Sequence, residues 1–229
     1  MFEKAIVRAL RHFSTQNLRL SLGRESLAEI ERFILDGYTD LLFEDVNLES
    51  TDSVLVLGGY LGDSTQRWLD VSAGQVLVVE PVKGYFQTLQ SKFLDNPRVE
   101  LFNLAVGAKS GQVDIYVNEL ESGSRIKSES VQVAQQMAIS KFLKQLSNIP
   151  KIVEINIEGG EYPVMQDLID STLVEEVETL IIQFHRYTYH DEVLRGNIRV
   201  KLSDTHKEVF SYDWVWERWD RKQAGVRDV

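Results

Sequence analysis

Three glycines and one glutamate carry the first chemistry in this chain. Residues 54–65 read VLVLGGYLGDST, an apolar run that breaks into Gly58, Gly59 and Gly62, and a second apolar run ends at Glu80. A buried strand, a glycine turn and an acidic residue about 20 positions on are the parts of a nucleoside site. Glycine lets backbone approach a ligand closely, and a carboxylate at the next strand end can accept hydrogen bonds from two ribose hydroxyls. Glycine spacing narrows the ligand. A dinucleotide fingerprint needs G-x-G-x-x-G, but Leu57 stands at the first glycine of that pattern and no P-loop lysine follows. The form G-G-x-x-G suits S-adenosylmethionine, which carries an amino acid and a sulfonium rather than phosphates. A glycine turn that holds no ligand is the bland alternative.

A second group lies further on. The segment 154–161, EINIEGGE, follows an apolar run and puts Glu158 and Glu161 just ahead of a helix expected from Pro163. Acidic residues there also suit a helix N-terminus without any catalytic role. His185 closes the run 180–184 and precedes Arg186, Tyr187, Tyr189 and His190. In a parallel sheet it would face the two glutamates from the next strand, as a base for a hydroxyl undergoing methyl transfer. A divalent ion held by His185, Glu158 and Asn156 is the less favoured alternative, because no dense carboxylate cluster accompanies them. Tyr212, Trp214 and Trp216 alternate at period two and are expected on one strand face, with core packing or support of a flat acceptor as their uses.

Composition limits what these residues can serve. The chain has 229 residues, enough for one substantial core. It contains no cysteine, which excludes disulfides, thiolate metal sites and a cysteine nucleophile. Its net charge of −10 opposes non-specific nucleic-acid binding and favours a neutral or weakly charged acceptor. No apolar run approaches the ~20 residues of a membrane span, so a cytoplasmic location is expected.

The elements that must position the site follow from periodicity. Ile6, Leu10 and Phe13, then Leu27, Ile30, Phe33 and Ile34, recur at helical spacing, predicting two amphipathic helices. They would form an N-terminal extension over 1–48, with a homodimer face as one use, ahead of a domain over 49–229. Strands are expected at 54–57, 76–79, 99–102, 152–157 and 180–184, separated by helices, a doubly wound α/β pattern. A hairpin extension is expected around Val113, Ile115 and Val117, a helix over 131–146 and a final hairpin over 210–219. Loops 119–136 and 186–201 would shape the acceptor pocket. In such a sheet the candidate residues gather at the carboxyl ends of the strands.

In order and content these pieces resemble the FkbM-type methyltransferases, a family of S-adenosylmethionine-dependent O-methyltransferases. The matching segments are VLVLGGYLGDST, VVEPVKGYFQTL, LFNLAVG with SGQVDIYV, EINIEGGE and IIQFH. The resemblance implies a Rossmann-like class I fold, a mostly parallel seven-stranded sheet with helices on both faces and an N-terminal helical extension. It implies cofactor binding by Gly58, Gly59, Tyr60, Gly62, Asp63, Ser64, Glu80, Asn103, Ala105 and Asn156. His185 and Glu158 would be catalytic, Glu161, Tyr187, His206 and Glu217 would meet the acceptor, and no metal is assigned. The acceptor would be a small molecule or glycan hydroxyl, with no nucleic-acid partner. The chain departs from the family at Val56, Tyr60, Glu154 and Asn156, where Asp, Asn, Lys and Asp are usual. Those departures motivate an alternative, a Rossmann-fold binding or partner protein that has lost the cofactor.

Overall fold

A computed structural model describes residues 24–46, 48–117, 122–123 and 130–223. The predicted helix at Ile6, Leu10 and Phe13 lies outside them. Helix α1 (Arg24–Leu35) and the short α2 (Tyr38–Leu41) precede strand β1 (Ser53–Leu57). Then come α3 (Asp63–Val71), β2 (Gln75–Val79), α4 (Lys83–Phe93), β3 (Val99–Phe102), β4 (Ala105–Gly107), β5 (Gly111–Val117), β6 (Ser122–Gly123) and β7 (Ser130–Ala138). The chain continues through α5 (Ile139–Leu143), β8 (Ile152–Ile155), α6 (Glu161–Asp170), β9 (Thr179–Ile182), α7 (Tyr189–Thr205), β10 (His206–Tyr212) and β11 (Trp216–Arg221).

Seven strands form the main sheet in the order β10-β11-β9-β8-β1-β2-β3. The pairs from β9 through β8 and β1 to β3 are parallel, while β11 pairs antiparallel with both β9 and β10. β11 is therefore the single reversed strand. The order turns back at β1, whose neighbours are β2 and β8, so the crevice of this α/β sheet opens at the carboxyl ends of β1 and β8.

Side-chain alternation builds a core on each face of the sheet. Leu55, Leu57, Val153, Ile155, Leu180 and Ile182 pack with α5, α6 and α7 residues, while Val54, Val56, Val76, Val78, Ile152 and Ile181 pack with α1, α3 and α4 residues. The strands read as continuous apolar runs because both faces are covered. Phe33 of α1 and Trp68 of α3 are fully buried, and each such side chain contributes roughly 1.5–3 kcal/mol.

β4, β7, β5 and β6 make a second, four-stranded sheet with its own small core of Val82, Ala105, Ile115 and Ala134. Two sequence expectations fail here and beyond. Residues 131–146 are not one helix, because β7 occupies 130–138 and pairs with β5 over seven positions before the five-residue α5. Cross-strand pairing of Val131 and Val133 outweighs the helical spacing of Ile139, Phe142 and Leu143. Residues 186–201 are not a loop either. Helix α7 starts at Tyr189, where Thr188 and Asp191 form a capping box.

The C-terminal hairpin exists but is wider than predicted. Tyr212 and Trp216 pair across it and share the core face of β1's Val54 and Val56. Trp214 does not join them, since it sits in the turn between β10 and β11 with φ +63°.

Candidate active site

The crevice at the strand ends has two sides, and the first is built from backbone. After β1, the amides of Gly58 and Gly59 both donate to the carbonyl of Val79, drawing the turn over the end of β2. Gly58 has φ +93°, and a Cβ there would lie 2.0 Å from the carbonyl oxygen of Asn156. Gly62, at φ +83°, caps α3. Tyr60 adopts φ +44°, a left-handed conformation few side chains take.

That strained residue serves Glu80. The carboxylate is 3% exposed and accepts the amides of Tyr60 and Val82, one on each oxygen, both at 2.8 Å. Burial pushes its pKa up to about 7, against the pull of those two amides. Each carboxylate oxygen has two acceptor sites, so capacity remains on both for ligand hydroxyls. The side-chain amide of Asn103 donates to the carbonyls of Glu80 and Pro81, fixing the loop that follows Glu80. Gln132 of β7 clamps the same loop through Pro81 O and Lys83 N.

Other predicted cofactor residues take different places. Ser64 donates its hydroxyl to Glu154, which also accepts the indole N–H of Trp68, so Ser64 ties α3 to β8. Glu154 is 4% exposed, and its pKa is raised by burial. Ala105 is buried in the core of the second sheet. Asp63 stands exposed at the start of α3, 3.4 Å from Lys92. Asn156 donates its amide to Leu57 O at the switch point, while its buried Oδ1 has no partner among the described residues.

The second side is a line of ionisable side chains. Glu161, fully buried at the start of α6, accepts the amides of Ile157 and Gly159. Its Oε1 lies 2.8 Å from His185 Nδ1, and Glu158 Oε2 lies 3.3 Å from His185 Nε2. Tyr187 donates its hydroxyl to the same Glu158 oxygen at 3.1 Å, and the buried Tyr162 hydroxyl donates to His185 O at 2.6 Å. Glu158 sits at φ +52° and Gly159 at φ +94°, the sharp turn that places two carboxylates on opposite ring nitrogens. The closer carboxylate, Glu161, favours a proton on Nδ1, while Glu158 faces Nε2 at the longer distance. The two carboxylates do not converge, and among the described residues no group of three or more His, Asp or Glu could hold a metal ion.

Two predicted acceptor residues are engaged by the scaffold. His206 begins β10 at the amino edge of the sheet, bonded to Thr205 Oγ1 and Val177 O, and burial lowers its pKa. Glu217 is 2% exposed and engaged by Arg195, Arg199 and the Trp219 indole. It holds α7 on β11. The resemblance of their segments to the family suggests both residues, but it does not show how each side chain is bonded in the fold.

The family model for the FkbM methyltransferase domain matches residues 57–212, which contain both sides of this crevice. The chain belongs to the FkbM methyltransferase family. It is an S-adenosylmethionine-dependent methyltransferase, so the reading as a cofactor-free partner protein is set aside. The fold is also that of solved methyltransferases. A protein of Clostridium thermocellum provisionally assigned as an rRNA methylase superposes with TM-score 0.54 at 11% identity, covering 83% of this chain and 97% of that one. SMU.1697c of Streptococcus mutans, solved with S-adenosylhomocysteine, gives 0.52 at 8% identity over 82% and 97%. The fibrillarin/Nop5p complex gives 0.52 at 14% over 87% and 82%. No curated protein sequence matches this FkbM methyltransferase. Among its described residues no helix is long and apolar enough to cross a membrane.

The residues of the first side fit the cofactor. Glu80 keeps acceptor capacity for two ribose hydroxyls, the glycine turn admits backbone-close contact, and Asn156 Oδ1 is a buried acceptor that an ammonium donor would satisfy. Sequence reasoning missed Tyr85, whose ring meets Tyr60 edge-on at 4.7 Å, and Tyr162 and Gln132, which fix the two halves from behind. Tyr85 stands in the first turn of the helix after Glu80. Gln132 gave no signal inside a segment read as a helix.

Proposed function

We propose that this methyltransferase acts on a hydroxyl oxygen of a neutral small molecule, a sugar, glycan or polyketide-like acceptor, with His185 as the base. The observation that carries this reading is the line from buried Glu161 through His185 to Glu158 at the mouth of the crevice. S-adenosylmethionine, when bound, supplies an electrophilic methyl group on a sulfonium. Glu80 would hold the ribose, Gly58, Gly59 and Gly62 the methionine portion, and Asn156 with Asp63 the ammonium end.

His185 Nε2 would receive the hydroxyl proton. Glu161 would keep Nδ1 protonated and stabilise the imidazolium that results, because a carboxylate held by two backbone amides stays in place as the charge develops. Glu158, steadied by the Tyr187 hydroxyl, would orient His185 or the incoming hydroxyl. An alcohol loses its proton as transfer proceeds, so a poised base is useful there, and general-base assistance contributes typically 10²–10⁴-fold. Glu158, Glu161 and Glu80 make the crevice acidic, which together with the net charge of −10 disfavours a phosphate-bearing acceptor.

The test is transfer of labelled methyl from S-adenosylmethionine to a panel of free sugars, glycans, macrolide-type polyketides, amines and rRNA. Label in a hydroxyl product, lost in His185→Ala, supports the reading. Label in amines or rRNA alone contradicts it.

A further inference from the structure

Two aromatic rings that belong to different turns meet beside Glu80. Tyr60 follows the glycine pair of β1's turn and is 37% exposed, while Tyr85 rises from the first turn of α4, with ring centroids 4.7 Å apart and planes at 74°. This edge-to-face geometry is the one that two quadrupoles prefer. Tyr85 backs onto Val82, Ala105, Ile115 and Ala134, the core of the second sheet, and so is held from behind.

We infer that Tyr60 and Tyr85 act as one paired aromatic wall for the adenosine half of the cofactor, with Tyr85 a cofactor-positioning residue. Three features point the same way. A bulky side chain is kept at a left-handed backbone position where glycine or asparagine would be easier, and its ring is left partly in solvent. The amide of that same residue anchors Glu80, so ring and ribose acceptor are placed by one backbone segment. The second ring comes from the helix that begins just beyond Val82, whose amide anchors the other Glu80 oxygen. A flat, base-sized ligand bound at Glu80 would therefore meet a wall supported from both turns.

The inference concerns cofactor binding and does not depend on which acceptor is methylated. Its test is calorimetric titration of the purified full-length chain with S-adenosylhomocysteine and with 5′-methylthioadenosine, which keeps adenosine and lacks the amino-acid end. The proteins compared are the wild type, Tyr60→Asn, Tyr85→Leu and the double variant. Asn tolerates the left-handed conformation and retains the amide on Glu80, so only the ring is removed. Each single variant is expected to lose about tenfold in affinity for both ligands, within the range of base–aromatic stacking, and the double variant to lose little more. Thermal melts confirm that the variants are folded. Singles within twofold of wild type would overturn the wall, as would a loss for S-adenosylhomocysteine without one for 5′-methylthioadenosine. Strictly additive losses would overturn the pairing.

Discussion

The two sides of the crevice solve opposite problems with the same residue type. On the cofactor side a single buried carboxylate, Glu80, is held by two backbone amides and its neighbours are glycines and tyrosines. On the other side Glu161 is likewise held by backbone amides, but its free oxygen capacity is given to His185, which continues to Glu158 and Tyr187. The first arrangement ends in acceptor capacity and the second in an imidazole between two carboxylates. Backbone therefore fixes where each carboxylate points, and the proposed roles, one side binding and one reacting, rest on what stands beyond it.

The largest effect should come from filling the glycine turn. Gly58→Ala puts a methyl 2.0 Å from Asn156 O at φ +93° and is expected to destabilise the fold by several kcal/mol and abolish cofactor binding. Gly84→Ala, with nothing within 4 Å on α4, should be neutral or slightly stabilising, by roughly 0.5–1 kcal/mol. Thermal melts with and without S-adenosylhomocysteine check both.

Next in size is the base. His185→Ala should lower kcat by about 10²–10⁴-fold, once a hydroxyl acceptor is in hand. Glu161→Gln should lower it less and also move the acid limb of the pH–rate profile, because the amide no longer stabilises imidazolium. An unchanged profile would leave Glu161 a structural residue only.

The smallest effect sharpens the cofactor side. Glu80 has its pKa raised from 4.5 to about 7, so the unliganded fold holds this proton more tightly than the unfolded chain. Its contribution to stability is full below pH 4.5 and is lost as pH rises through 7. Ribose hydroxyls donate to the charged form, so bound ligand should lower that pKa, and affinity should tighten as pH rises towards about 7 and level off above it, about tenfold in all per unit of lowering. Glu80→Gln should flatten the dependence. Titrations of S-adenosylhomocysteine at several pH values read both.

Legibility from sequence followed the same division. The turn at Gly58, Gly59 and Gly62 and the place of Glu80 at the next strand end could be read directly, because a tight strand-to-helix turn favours glycine and each apolar run marks a buried strand. Glu158, Glu161 and His185 could be placed at adjacent strand ends, and the parallel pairing of β8 with β9 brings them together. What sequence could not supply was tertiary. Ser64 turns inward because Glu154 lies behind it, and β7 forms because β5 is there to pair with. His206 and Glu217 rested on resemblance alone; in the fold His206 is bonded to Val177 O, and Glu217, although paired with Ile182, is taken up by Arg195, Arg199 and the Trp219 indole.

The most direct test of the division is a titration of S-adenosylhomocysteine against Glu80→Ala and His185→Ala in parallel. Affinity should fall on the order of a hundredfold in Glu80→Ala, as two charge-assisted hydrogen bonds are lost, and stay within twofold of wild type in His185→Ala. Intact binding in Glu80→Ala, or loss in a folded His185→Ala protein, would contradict a crevice with one binding side and one reacting side.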